Sequence, residues 1–127
     1  MKAIQNRFGH VDLTDFISRK LGGVMSINIG MNNNPMDKGA LVNYIATNFN
    51  LMAYIFDWSE YNGDKEETFV GTINIGKDDA VKIAEGLCEL LTQDYIAIEV
   101  NGVGHLVYNP SYKGERHEFN NEYFIKL

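Results

Sequence analysis

Apolar and polar residues alternate along residues 24–31, with Met25, Ile27, Ile29 and Met31 on one side and Ser26, Asn28 and Gly30 on the other. This period of two predicts a half-buried strand, which the turn-forming residues 32–35 end. Alternation returns over residues 68–75 and predicts a second strand. Residues 51–58 are dense in β-favouring side chains, which predicts a strand covered on both faces, whereas residues 41–47 fit either a short helix or a strand.

Two apolar runs meet at Asn101-Gly102 within residues 95–108. Asn-Gly favours a two-residue type I′ turn, so these runs predict a β-hairpin. A polar loop at 59–67 is expected to join strands 51–58 and 68–75 into another hairpin. A last strand is predicted at 123–127. Gly71 and Gly104 are expected to mark bulges or places where the backbone is approached closely.

Helical spacing of apolar residues indicates two helices. Residues 12–21 place apolar side chains on one face and follow Asp12, a good N-cap residue. Residues 76–93 carry a wider apolar stripe, and Asp78 and Asp79 in the first turn favour the helix dipole. The sequence therefore predicts an α+β fold. One compact domain spans residues 1–127, with a mainly antiparallel sheet of about five to seven strands covered by these two helices.

Composition argues against several classes of function but does not identify one. A formal net charge of −6 with only 11 Lys and Arg residues argues against direct nucleic-acid binding. The single cysteine, Cys88, excludes an intrachain disulfide and falls on the apolar stripe of a predicted helix, where a catalytic thiol is not expected. Because no apolar run is long enough for a membrane span, we expect a cytoplasmic protein.

Candidate catalytic and metal-binding residues form no known motif. His10, His105 and His117 have no metal-ligand spacing, and no phosphate loop, nucleophile elbow or dinucleotide fingerprint is present. His105, His117 and Glu118 can meet only if the C-terminal chain folds back beside the hairpin. We therefore predict no catalytic residue, metal or cofactor, and a protein that is not an enzyme.

Acidic and aromatic residues are interleaved between residues 57 and 67. This segment suits docking into a basic groove, because aromatic side chains anchor an interface and carboxylates steer the approach. The alternative is an ordinary solvated loop. The predicted partner-binding residues are Asp57, Trp58, Glu60, Tyr61, Asp64, Glu66 and Glu67.

A second candidate site lies in the polar segment after the hairpin. Tyrosine can stack on a base and Lys or Arg can bind an anion, so this segment suits a small ligand in a pocket between sheet and helices. Its simpler interpretation is a connection between strands. The residues are Tyr108, Tyr112, Lys113 and Arg116.

The leading expectation is a small acidic binding protein that occupies the surface of a macromolecule, with a basic protein as its partner. By general type it resembles small inhibitors that phages and other mobile elements encode, such as anti-CRISPR and other anti-defence proteins. It also resembles immunity proteins by type. The abundance of Asn, Ile, Lys and Tyr is typical of proteins encoded by AT-rich genomes, which many bacteria and their phages have. A nucleotide-binding or small-molecule-binding protein is the alternative. A homodimer is also considered, through the edge of the strand predicted at 123–127.

Overall fold

The computed structural model describes residues 23–61, 63–76 and 78–127, and the helix predicted at 12–21 and His10 lie outside them. In chain order the elements are β1 (Val24–Gly30), α1 (Lys38–Asn48), β2 (Asn50–Tyr61), β3 (Asp64–Asn74), α2 (Ala80–Leu91), β4 (Tyr95–Val100) and β5 (Val103–Tyr108). The predicted α+β fold is confirmed. All pairings within the five-stranded sheet are antiparallel, and the strand order is β2-β3-β1-β4-β5.

The hairpin predicted at 95–108 is present. Val100 pairs with Val103, and Asn101 and Gly102 between them have φ angles of 54° and 79°. Positive φ at both turn positions is what a type I′ turn requires, and Asn and Gly tolerate it best. Local sequence therefore determines this turn.

Both helices begin at aspartate caps. Residues 41–47, left open between helix and strand, lie in α1, where the Asp37 carboxylate accepts a hydrogen bond from the Ala40 amide at 2.8 Å. The second helix starts at Ala80 rather than residue 76, because Asp79 is its N-cap. It ends at Leu91 rather than residue 93, because Thr92 takes a left-handed conformation with φ 55°. The strand predicted from the alternation in residues 24–31 is confirmed as β1.

One face of the sheet carries the hydrophobic core. Buried side chains alternate along the central strand β1 and face apolar residues of both helices. α1 packs over β2, and α2 packs over β4 and β5. The fully buried members include Met25, Ile27, Ile29, Leu41, Ile45, Phe69, Ile73, Leu91, Ile96 and Ile98.

The opposite face of β1, β4 and β5 is crossed by the C-terminal segment, residues 109–127. The Asn28 side chain donates to the Ile125 carbonyl at 2.9 Å and accepts from the Ile125 amide at 2.8 Å. Phe119 packs against Gly104, where an added Cβ would overlap its ring, so the predicted close approach at this glycine is confirmed. At Gly71 the neighbour is the Phe69 ring, 2.7 Å from such a Cβ.

Two strand predictions were wrong. Tyr123 belongs to a turn and residues 124–127 have no regular secondary structure, and the segment is bonded by the Asn28 side chain instead of a backbone ladder. Strand 51–58 exists within β2, but it lies at the edge of the sheet and is not covered on both faces, since Met52, Tyr54 and Ile55 are exposed. Sequence period shows which residues share a face but not which strand lies outermost.

Candidate functional site

The β2–β3 hairpin extends past the end of the neighbouring strand β1. Pairing between β1 and β3 ends at Gly30 and Thr68, whereas β2 and β3 stay paired as far as Tyr61 and Asp64. The outer part, residues 57–61 and 64–67, is called the acidic arm below. It contains all seven residues predicted to bind a partner.

The acidic arm is a strand ribbon, so the prediction of a polar loop at 59–67 was wrong. Polar residues form strand here because Ser59 Oγ lies 2.9 Å from Thr68 Oγ1 and donates to the Glu66 carbonyl at 3.2 Å. The strand period also divides the predicted surface. Trp58 pairs with Glu67 on the helix side of the ribbon, and Ser59 pairs with Glu66 on the other side.

Glu66 anchors the base of the acidic arm. Its Oε2 accepts a hydrogen bond from the Asn32 amide at 2.9 Å, across the end of β1. The same carboxylate occupies the space where a side chain at position 30 would lie, so Gly30 leaves room for it. This half-buried carboxylate therefore holds the turn after β1 against the hairpin.

Glu67 is also engaged within the chain. Its Oε2 lies 3.0 Å from Lys38 Nζ, and the Lys38 ammonium lies 5.3 Å from the centroid of the Phe56 ring. Lys38 begins α1, so this pair joins the helix to the arm. The sequence did not single out Lys38, because the contact joins residues far apart in the chain. A partly exposed pair of this kind contributes little stability, about 0–1 kcal/mol.

Four residues of the acidic arm that were predicted to bind a partner are exposed to solvent. Trp58 is 65% exposed, and Asp57, Glu60 and Asp64 are also exposed. One oxygen of Asp57 accepts from the Trp58 amide at 2.8 Å, which leaves the carboxylate negative charge at the surface. A large exposed indole beside three carboxylates matches the chemistry of an interface anchor with acidic steering groups.

The second predicted site is brought together in part. Tyr108 stacks with Tyr112 at 5.1 Å between ring centroids, Arg116 lies 5.1 Å from the Tyr108 ring, and Tyr95 packs against Tyr108 at 5.3 Å. The Tyr108 hydroxyl accepts from the His117 amide at 2.7 Å. These rings stack on each other and fix the chain after β5. Lys113 is exposed on the same segment.

The three residues discussed as a possible acid–base or metal set do lie near each other. His105, His117 and Glu118 line one open cleft of about 430 Å³ beside β5, together with Gly104, Leu106 and Phe119. The C-terminal segment brings them together by folding back beside the hairpin. Within the described part of the chain, no group of three or more His, Cys, Asp or Glu residues is placed to hold a metal ion.

Cys88 lies in the core, as its position on the apolar stripe of a helix predicted. Its Sγ donates to the Val107 carbonyl at 3.4 Å. Burial, reinforced by the negative charges of Glu85, Asp94 and Glu89, raises the pKa of this thiol from 9.0 to about 12. A neutral buried thiol is a poor nucleophile, so Cys88 is a packing residue.

Comparisons of this chain with protein-family models, with curated proteins and with solved structures find no match. Neither α1 nor α2, the helices of the described residues, is long and apolar enough to cross a membrane.

Proposed function

We propose that this chain is a non-enzymatic binding protein whose acidic arm occupies a basic surface on a protein partner. The observation that carries the proposal is the arm itself: a ribbon extended beyond β1, with Trp58 and three carboxylates exposed along it. Its acidity adds long-range attraction to a basic cleft, and its aromatic residue supplies contact area once the partners meet.

Size, acidity and this arm suit an inhibitor that blocks the working surface of a larger protein. Anti-CRISPR and other anti-defence proteins of phages, and immunity proteins, act in this general way, and we place the chain with them by type of action. An inhibitor of this kind needs a rigid element to enter a cleft. The cross-strand ladder of the arm and the contact of Glu66 to the turn after β1 support that rigidity.

The experiment separates the exposed carboxylates from the anchoring ones. Glu60→Lys/Asp64→Lys reverses two exposed charges without touching the contacts of Glu66 and Glu67. Glu115→Lys/Glu122→Lys is the matched control, because it makes the same change in net charge at exposed positions of the C-terminal segment. Each tagged protein captures partners from a bacterial lysate, and mass spectrometry quantifies them.

The expected result is a basic protein captured by the wild type and by the control but lost with the arm variant. Capture should weaken as the salt concentration rises through physiological ionic strength, because screening by salt shortens the range of electrostatic attraction. Equal capture by all three proteins would contradict the proposed role of the arm.

A second candidate is a small-ligand site on the other side of the molecule. The cleft beside β5 and the adjoining cluster of Tyr108 and Arg116 favour it. It ranks second because the tyrosine rings already stack on one another. A thermal-shift screen with a nucleotide panel tests it, and stabilisation by one nucleotide that Arg116→Ala abolishes would favour this candidate over the first.

A further inference from the structure

We propose that the outer edge of β2 pairs antiparallel with the same edge of a second copy of this chain. The pairing joins residues 53–59 of the two copies around a two-fold axis at Phe56. The sheet then continues from one subunit into the other, with the helices of both subunits on the same face. This dimer goes beyond the proposed function. It covers Asp57 and Trp58 of the acidic arm and leaves the exposed carboxylates of Glu60 and Asp64 outside the paired stretch.

The first observation is the position of β2 in the sheet. β2 is a 12-residue strand at the end of the strand order, and within the described residues it pairs with β3 alone. Every second residue of such a strand directs its N–H and C=O groups outward, where they form a template for another strand. Strand addition to an exposed edge is a common way for chains to associate.

The second observation is apolar exposure on both faces of that edge. Met52 is 54% exposed, Tyr54 45% and Ile55 41%, in addition to Trp58 in the arm. Tyr54 shares the helix side of the sheet with Trp58, and Ile55 lies on the opposite side. A second strand laid along this edge would cover both sets of side chains at once.

A break in the ladder limits the register. The pairing of β2 with β3 shifts between Leu51 and Ala53, so the regular ladder of β2 begins at Ala53. With Phe56 at the axis, Ala53 lies opposite Ser59 of the partner subunit, which limits the paired stretch to 53–59. Tyr54 then lies opposite Trp58 of the partner subunit, and aromatic pairs across strands are favourable.

Charge favours the antiparallel orientation over the parallel one. Residues 50–56 carry no charge, while Asp57 and Glu60 follow them. A parallel pairing in register would set each acid beside its counterpart, and like charges opposite one another destabilise a sheet. In the antiparallel register Asp57 lies opposite Ile55 of the partner subunit. Each copy therefore offers the uncharged half of its strand to the acidic half of the other.

The register can be tested by placing like and then opposite charges at positions 55 and 57, which lie opposite each other across the two-fold axis. Ile55→Glu sets a carboxylate opposite Asp57 of the partner subunit. Because the two-fold axis repeats this like-charge pair, two such pairs form in each dimer, and the dimer dissociation constant should rise by about tenfold or more. Ile55→Glu/Asp57→Lys makes those pairs opposite in charge and should restore the dimer. Val103→Glu on β5, where Val103 is 56% exposed, is the control at the other edge of the sheet. Circular dichroism verifies that each variant is folded.

Sedimentation velocity from about 1 µM to about 1 mM covers the affinity expected for a small interface. Hydrogen exchange of the amides in 53–59 is measured over the same range. We expect a wild-type dimer, exchange in 53–59 that slows as concentration rises, and loss with Ile55→Glu that the double variant reverses. A wild-type monomer throughout, a dimer unchanged by Ile55→Glu, or concentration-independent protection of 53–59 would each overturn the proposal.

Discussion

Replacing Asn28 with alanine should loosen the C-terminal segment from the sheet. Asn28 lies on the central strand β1, and its amide group makes two hydrogen bonds to the backbone of Ile125, a residue 97 positions later. Both bonds are well formed, at 2.9 and 2.8 Å between heavy atoms.

The magnitude follows from what the substitution leaves unpaired. Each hydrogen bond contributes about 1 kcal/mol net, and a backbone group left without a partner in a partly buried position adds to the loss. We expect the free energy of unfolding to fall by about 2–3 kcal/mol. This is a large fraction of the total stability of a small domain, which is of order 5–15 kcal/mol.

Urea unfolding followed by circular dichroism measures the loss, and hydrogen exchange at residues 119–127 reports local detachment. Asn28→Asp retains an acceptor for the Ile125 amide but sets a carboxylate against the Ile125 carbonyl, so it should destabilise at neutral pH as well. Ser26→Ala, on the same strand and face, is the control and should change stability by less than about 0.5 kcal/mol. A loss below that value for Asn28→Ala would refute the assignment of Asn28 as the anchor.

Two further substitutions test local features. Gly102→Ala should cost about 1 kcal/mol in urea unfolding, because the turn needs φ 79° there and alanine is strained at positive φ. Burial raises the pKa of Cys88 to about 12 in the folded protein, so unfolding releases its proton above pH 9. Relative to Cys88→Ala, wild-type stability should therefore fall by up to about 1.4 kcal/mol per pH unit between about pH 9 and 12, measured by unfolding at each pH.

The sequence predicted the elements whose formation depends on neighbours along the chain. Alternation in residues 24–31 located β1, Asn101-Gly102 located the β4–β5 turn, and the apolar stripe in residues 76–93 located α2 to within a turn at its start. These signals reflect the period of a strand or helix and the φ angles of a turn. They carry no information about which strands are neighbours.

The predictions that failed concern long-range placement. The segment 123–127 has the composition of a strand, but Asn28 binds its backbone through a side chain, and no local pattern shows that. Residues 59–67 are polar enough for a loop, yet cross-strand bonds between Ser59 and Thr68 extend the hairpin. The sequence grouped residues 57–67 as one candidate surface, whereas the structure separates Glu66 and Glu67, which contact other parts of the chain, from exposed Glu60 and Asp64.

The sequence predicted residues 51–58 as a covered strand, and their position at the edge of the sheet has a physical consequence. Apolar residues on both sides of residues 51–58 are typical of an interior strand, but the strand order puts β2 at an edge. An edge of this composition attracts other strands, and open-ended pairing leads to aggregation. The break before Ala53 and the charge of Asp57 restrict the registers available to such pairing. Because a two-fold pairing uses the same edge of β2 in both copies, the association that we propose closes at two subunits.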